Sequence, residues 1–198
     1  PDNRFNDGKC DRSGRFWAGT MDKVHWEKPT GSLYYLKSHQ TAVISEKNAV
    51  CLNGIAWSPD NKTMYVIQSF LYTIFAYDFD LLTGNLSNKR PFISFSPADK
   101  GFPDGMTVDS EGYIWCAIGI LGKILRIDPQ GVIAQTFFFP VPGITSCIFG
   151  GKDLQTLYVT SSRENMSDLD MQKYPLSGNI FSLETDVKGL KEPAVHIE

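Results

Sequence analysis

Four polar residues recur at one register of this 198-residue chain: Asn6, Asn53, Asp104 and Ser146. Each stands five residues before a turn residue, which is Asp11, Ser58, Asp109 and Gly151 in order. Glycine follows directly at Gly54 and Gly105, and one residue later at Gly8, where it permits backbone geometry that other residues resist. Taken singly, Asn-Gly and Asp-Gly are ordinary turn dipeptides. A shared register in successive segments argues for a common role instead. Two amides, a carboxylate and a hydroxyl make an oxygen-rich set without His or Cys, which suits a hard divalent cation such as Ca2+, Mg2+ or Mn2+.

The elements that carry these residues repeat as well. DRSGRFWAGT (11–20) returns as SPDNKTMYVIQS (58–69), DSEGYIWCAI (109–118) and GKDLQTLYVTSS (151–162), each a tight turn followed by a strand with an aromatic near its start. A short strand precedes each turn: GKCD, GIAWS, GMTVD and SCIFG. A third strand follows as GSLYYLKS, TIFAYDFD, GKILRIDP and GNIFSLET, and a fourth as TAVISE, PFISFS, AQTFFFP and AVHIE. Helical periodicity is almost missing, and the runs are rich in Val, Ile, Tyr, Phe and Trp, so the chain reads as all-β. Four antiparallel strands repeating every ~40–50 residues are the signature of β-propeller blades. Four successive blades are visible, against the alternative of a β-sandwich with chance similarity between hairpins. The recurring polar residues then begin the innermost strands, which line a propeller's channel. The longest irregular stretches, 21–30 and 161–177, fall between second and third strands, where loops reach over a propeller face.

Composition narrows the function classes. Apolar residues make up 42% and aromatics 13%, enough for a core in a single domain over 1–198. Net charge is −3 and the 19 basic residues are scattered, so no nucleic acid or anionic membrane is expected as a partner. No apolar run reaches the ~18–20 residues of a membrane span. Cys10, Cys51, Cys116 and Cys147 lie far apart without a CxxC pair and read as packed free thiols, which points to a reducing, cytoplasmic setting. His25, His39 and His196 are isolated. The chain opens Pro-Asp without an initiator Met, and an N-terminally truncated fragment is expected.

RFNDGKCDRSGRFWAGTM, NGIAWSPDNKTMY, PDGMTVDSEGYIWCAIG and TSCIFGGKDLQTLYVTS, in that order, resemble the gluconolactonase family, which includes regucalcin (senescence marker protein) and the luciferin-regenerating enzyme. The resemblance implies a six-bladed propeller, of which four blades are present, holding one divalent cation (Ca2+, Zn2+, Mn2+ or Mg2+) and hydrolysing a small-molecule sugar lactone or related ester. It implies Asn53 and Asp104 as metal ligands, Asp104 also as general base, and Arg4 and Asn6 as the substrate-orienting pair. A further ligand, a glutamate, is expected upstream of Pro1. Two departures weaken the sugar-lactone expectation: Lys23 and Val24 stand where an acidic sugar-binding residue is expected, and Gln68 stands where relatives often carry aspartate. Arg4 could instead pair with Asp2 or Asp7 at the surface, and Trp26 could meet an aromatic substrate or simply pack. Rival functions are a Ca2+-binding regulator without catalysis, a luciferin-regenerating type of hydrolase, and a propeller scaffold for protein partners that the sequence does not identify.

Overall fold

The computed structural model describes residues 2–38, 41–99 and 101–196, so His39 lies outside the described residues. The chain forms two compact units, Pro1–Phe95 with Glu192–Glu198, and Ser96–Lys191. In the first unit, β1 (Asn3–Cys10), β2 (Phe16–Asp22), β3 (Gly31–Ser38) and β4 (Thr41–Ala49) form one antiparallel sheet in sequence order. A second sheet follows from β5 (Leu52–Trp57), β6 (Thr63–Gln68), β7 (Thr73–Phe79) and β8 (Leu86–Ser94). The second unit repeats the pattern with β9 (Phe102–Val108), β10 (Ile114–Gly119), β11 (Lys123–Ile127) and β12 (Ile133–Phe138), then β13 (Ile144–Gly150), β14 (Thr156–Ser161) and β15 (Ile180–Glu184). These meanders are the blades expected from the repeats, and the all-β propeller class holds.

Each unit has its own core. In the first, Trp17 and Leu33 meet Leu52, Ile55, Met64 and Val66, and the Trp17 ring lies 4.8 Å from Tyr35 and 6.0 Å from Phe79. In the second, Trp115 stacks on Phe137 at 5.1 Å and meets Phe149 edge-on, above Ile144, Leu157 and Val159. Truncating a buried Trp of this kind to Ala costs ~3–5 kcal/mol, so these rings hold the blades together.

The recurring turns have a shared physical cause. The third residue after each turn start has positive φ: Gly14 (80°), Asn61 (58°), Gly112 (88°) and Leu154 (55°). Glycine and asparagine tolerate that left-handed geometry, which explains why the repeat keeps them there. In two blades a wholly buried aspartate locks the turn to the next strand. Asp11 Oδ1 accepts the Ser13 and Arg15 amides, and its Oδ2 accepts Trp17 Nε1 (2.9 Å) and Arg15 Nε (2.7 Å). Asp109 does the same with the Glu111 and Tyr113 amides, Trp115 Nε1 (2.9 Å) and the Arg126 guanidinium. The Asp-Gly-Trp spacing of DRSGRFW and DSEGYIW is therefore a folding lock, distinct from the polar residues five positions earlier.

Two features depart from the sequence expectation. The last sheet has three described strands, because 191–196 are not extended into a fourth, and Ile197 and Glu198 of AVHIE lie outside the described residues. Pro193 removes one ladder donor from that stretch. Its backbone turns instead to the first unit, where Glu192 pairs with Lys9 (2.8 Å) and the His196 amide donates to Gly14 O (2.9 Å). The loop 161–177 also contains a short helix, α1 (Asp168–Lys173), started by a capping box between Ser167 and Asp170.

Candidate functional site

Every innermost strand breaks its ladder at the recurring polar position. In β1, Phe5 pairs with Thr20 and Gly8 with Ala18, so Asn6 and Asp7 face Gly19 alone. In β5, Leu52 pairs with Gln68 and Ile55 with Val66, which sets Asn53 and Gly54 against Ile67. In β9, Pro103 pairs with Ile118 and Met106 with Cys116, which sets Asp104 and Gly105 against Ala117. In β13 the extra residue is Thr145, beside Ser146. Such β-bulges re-aim side chains and collect beside functional sites. Asn-Gly and Asp-Gly here are mid-strand bulges, and the turn-dipeptide alternative is set aside.

The first unit brings Arg4, Asn6 and the Leu52–Asn53 corner together. Asn6 Nδ2 donates to Leu52 O (2.9 Å), and Asn6 Oδ1 accepts from Arg4 Nη1 (2.8 Å). Both ends of the Asn6 amide are thus engaged, so its work is to hold the exposed guanidinium in place. Among the described residues Arg4 bonds to no carboxylate, and pairing with Asp2 or Asp7 is not seen. Gly19, opposite the bulge, permits this approach, since a Cβ there would lie 2.4 Å from Leu52 Cβ. Asn53 is 9% exposed, and its Nδ2 donates to Ser69 Oγ at 3.1 Å. Ser69 is itself wholly buried, and its amide donates to Cys51 O. With the nitrogen end tied inward, Oδ1 is the outward end, and it has no hydrogen-bond partner among the described residues. A fixed, neutral oxygen of this kind fits a hard cation.

Asp7, which the sequence reading offers only as a possible partner of Arg4, belongs to the same bulge. It accepts the Gly8 amide (2.7 Å) and lines a concavity of about 320 Å³ with Phe5, Asn6, Gly8, Phe16 and Ala18. Burial pushes its carboxyl above the usual carboxylate range, against the opposing pull of the Gly8 N–H and of Lys9.

In the second unit Asp104 is half-buried in the β9 bulge. Gly105 lets β13 close on it, since a Cβ there would meet Ser146 Oγ at 2.2 Å. Ser146 itself is half-buried, and the Thr145–Thr160 hydroxyl pair (2.8 Å) braces its bulge. In the facing strand β10 the fully buried Cys116 donates its Sγ hydrogen to Ala117 O (3.4 Å), and burial pushes its thiol well above the ordinary range.

The other singled-out residues have structural roles. Trp26 packs on Phe70 (5.9 Å) beside Met21, Val50 and Cys51. Gln68 is buried, accepts the Val50 amide (2.9 Å) and donates to Glu46. Lys23, Val24, His25 and His196 are exposed, and none of the four cysteines is in a disulfide. Among the described residues no group of three His, Cys, Asp or Glu side chains clusters for a metal. No helix is long and apolar enough to cross a membrane.

Comparison with known proteins places these features in a family. The SMP-30/Gluconolactonase/LRE-like region model matches residues 1–163. Regucalcin of Xenopus laevis is 40% identical over 98% of this chain and 67% of its own length, and that of Danio rerio 41% over 96% and 65%. The chain thus spans about two thirds of the relatives it matches. Among solved structures, a calcium-binding protein, regucalcin, from Agrobacterium tumefaciens superposes with a TM-score of 0.93 at 32% identity, over 100% of this chain and 66% of that one. A luciferin-regenerating enzyme does so with a TM-score of 0.88 at 38% identity, over 98% and 66%. The matched region contains Arg4, Asn6, Asn53 and Asp104 alike, and the chain belongs to the SMP-30/gluconolactonase/LRE-like family.

Proposed function

We propose that the whole protein is a divalent-metal-dependent hydrolase of a sugar lactone or a related ester. The observation that carries this reading is Asn53, a nearly buried amide whose nitrogen is tied to Ser69 and whose oxygen is left outward and unpaired among the described residues. Family membership supports it, and so does the calcium-binding relative from Agrobacterium tumefaciens. Asn53 and Asp104 would hold the cation, with a glutamate from outside these 198 residues as a further ligand. When bound, the cation supplies Lewis-acid polarisation of the carbonyl and a lower pKa for adjacent water.

The rest falls to the side chains. Arg4 offers planar donors to hydroxyl or carbonyl oxygens of the substrate, held by its bond to Asn6 so that little freedom is lost on binding. Asp104 takes a proton from water as the general base, and the proton returns to the alcohol oxygen released when the ring ester opens.

The test is δ-gluconolactone hydrolysis by the full-length protein with and without EDTA, followed by Mn2+, Zn2+ or Ca2+. Metal-restored turnover supports the reading, and Asp104→Ala should abolish it. Near-normal turnover by that variant would end the general-base assignment. The second reading, a Ca2+-binding regulator without catalysis, is favoured by the names of the regucalcin relatives, and binding without turnover would select it.

A further inference from the structure

Cys51 takes a left-handed φ of 45° in the two-residue connection between β4 and β5, two positions before Asn53. A residue with a Cβ resists that backbone, which persists only where the surroundings impose it. Both sides of Cys51 are held from the end of β6. The Val50 amide donates to Gln68 Oε1 (2.9 Å), and the Ser69 amide donates to Cys51 O (3.1 Å). Leu52 then pairs with Gln68 in the ladder, and Asn53 Nδ2 reaches Ser69 Oγ (3.1 Å). Two adjacent residues thus grip four consecutive ones, and the strained link lies inside the grip.

Gln68 is 2% exposed, so its amide holds Val50 with little competition from water. Which end of that amide faces Val50 is set from the other side. Gln68 Nε2 donates to Glu46 Oε1 (3.3 Å), and Glu46 is fixed in turn by the Tyr77 hydroxyl of β7 and by Lys89 Nζ of β8. Lys89 itself lies over the Phe75 ring, 4.4 Å from its centre. A reversed amide would bring its NH2 group against the Val50 N–H and its oxygen against the Glu46 carboxylate. Both contacts are repulsive. The acceptor that Val50 needs is therefore presented in one orientation.

We propose that Gln68, aimed by Glu46, is a positioning residue for Asn53: it holds Val50, keeps the left-handed Cys51 link in one conformation, and so fixes where the Asn53 oxygen stands. The hold on the backbone is a claim about this unit alone. Its consequence for cation binding rests on the reading of Asn53 as a metal ligand given above.

The test compares full-length Gln68→Met with wild type, using residue-resolved hydrogen–deuterium exchange at the Val50 amide and calorimetric titration with Ca2+ and Mn2+. Methionine keeps an unbranched side chain of similar length but offers Val50 only a weak acceptor. The Val50 amide should exchange at least about tenfold faster, and the cation Kd should rise about three- to tenfold, the range one buried hydrogen bond spans. Glu46→Leu removes the aim but not the acceptor, so it should raise the Kd by less than Gln68→Met does; a Kd at the wild-type value overturns the role given to Glu46. Met64→Ala thins the core of the same strand and should lower Tm while leaving the Val50 amide and the Kd unchanged. An equal rise of Kd in that variant overturns the positioning role, and so does a faster Val50 amide in Gln68→Met with an unchanged Kd. A Val50 amide that stays protected in Gln68→Met overturns the inference, whatever the Kd. If Gln68→Met does not fold, the wild type reads the same coupling: Ca2+ at about a hundred times its Kd should slow Val50 exchange at least about tenfold, and an unchanged rate overturns the inference. Failure of the metal-site reading shows separately, as cation binding by Asn53→Ala at the wild-type Kd.

Discussion

Ser69→Ala tests whether Asn53 is a preset ligand. In the native protein Ser69 Oγ accepts from Asn53 Nδ2 at 3.1 Å, and neither side chain has ready access to water. Removing the hydroxyl strands a buried N–H, which costs about 1–3 kcal/mol if the amide stays as it is. A 180° flip of the amide relieves most of that cost, because the N–H then faces outward. The same flip presents a donor where the cation needs an oxygen. The ligand-competent orientation falls to roughly one part in six at 1 kcal/mol and to below about one part in a hundred at 3 kcal/mol. Since apparent affinity scales with the competent fraction, Kd for Ca2+ or Mn2+ should rise between about sixfold and a hundredfold or more. The fold should lose little, on the order of 1 kcal/mol, or about 2–4 °C in Tm at this chain length. Calorimetric titration of the full-length variant beside Asn53→Ala provides the measurement. If Ser69→Ala binds within twofold of wild type while Asn53→Ala loses binding, the orientation argument is wrong.

Other perturbations probe the supports. Asp109→Ala strips the acceptor from two turn amides, Trp115 Nε1 and the Arg126 guanidinium, and breaking a buried pair of this kind costs ~3–5 kcal/mol, so thermal unfolding should show Tm lower by roughly 6–20 °C. An unchanged Tm would mean the turn lock carries no stability. Asp7→Asn has a pH signature. A raised folded-state pKa means that Asp7 stabilises at pH values below its unfolded value, and that this contribution is lost as pH rises through the folded value. The variant should therefore gain Tm at pH 7, and the gain should vanish in acid; an equal gain at every pH would contradict the burial argument. Gly105→Ala should cost ~1–3 kcal/mol by overpacking against Ser146, and Ser146→Gly should recover part of it, because the Oγ and Cβ clashes go while the one with Ser146 Cα at 2.8 Å stays. A double-mutant cycle in chemical denaturation with no coupling would refute that contact.

Much of the architecture is legible in the chain because the repeat is written in residues that have backbone reasons to be there. Gly14, Asn61 and Gly112 occupy left-handed positions, and Leu154 shows that the fourth turn keeps the geometry without a favourable residue type. Asn6, Asn53 and Asp104 were found by register alone, since a bulge that recurs in homologous strands leaves its mark at a constant distance from the turn. The supports were not legible. Ser69 belongs to a short turn after β6 and Gly19 to the middle of β2, and each reads as an ordinary member of the strand repeat. Their partners are selected by which strand skips a residue, and that is settled only when the sheet forms. The described part of the last expected strand differs for a related reason. AVHIE has strand-like composition, yet Pro193 lies just before it, and Glu192 and the His196 amide find partners at Lys9 and Gly14 of the first unit.

A polar residue in a strand interior is costly where its hydrogen bonds are not met. The bulges show how this chain meets them one blade at a time. Asn6 is satisfied through Leu52 O and Arg4, with Gly19 making room. The Asn53 amide nitrogen is satisfied through a buried serine from the neighbouring strand end. Asp104 stands in the β9 bulge, with Gly105 making room for Ser146. The recurring position is common to the blades, but the device that steadies it differs in each. Stiffness of each bulge can therefore be altered without touching the residue that would meet a ligand. If Asn53 holds a cation as proposed, proteins with the same Asn, Asn and Asp at this register are then expected to differ in cation affinity through the residue equivalent to Ser69, which sits behind Asn53 and touches no ligand itself.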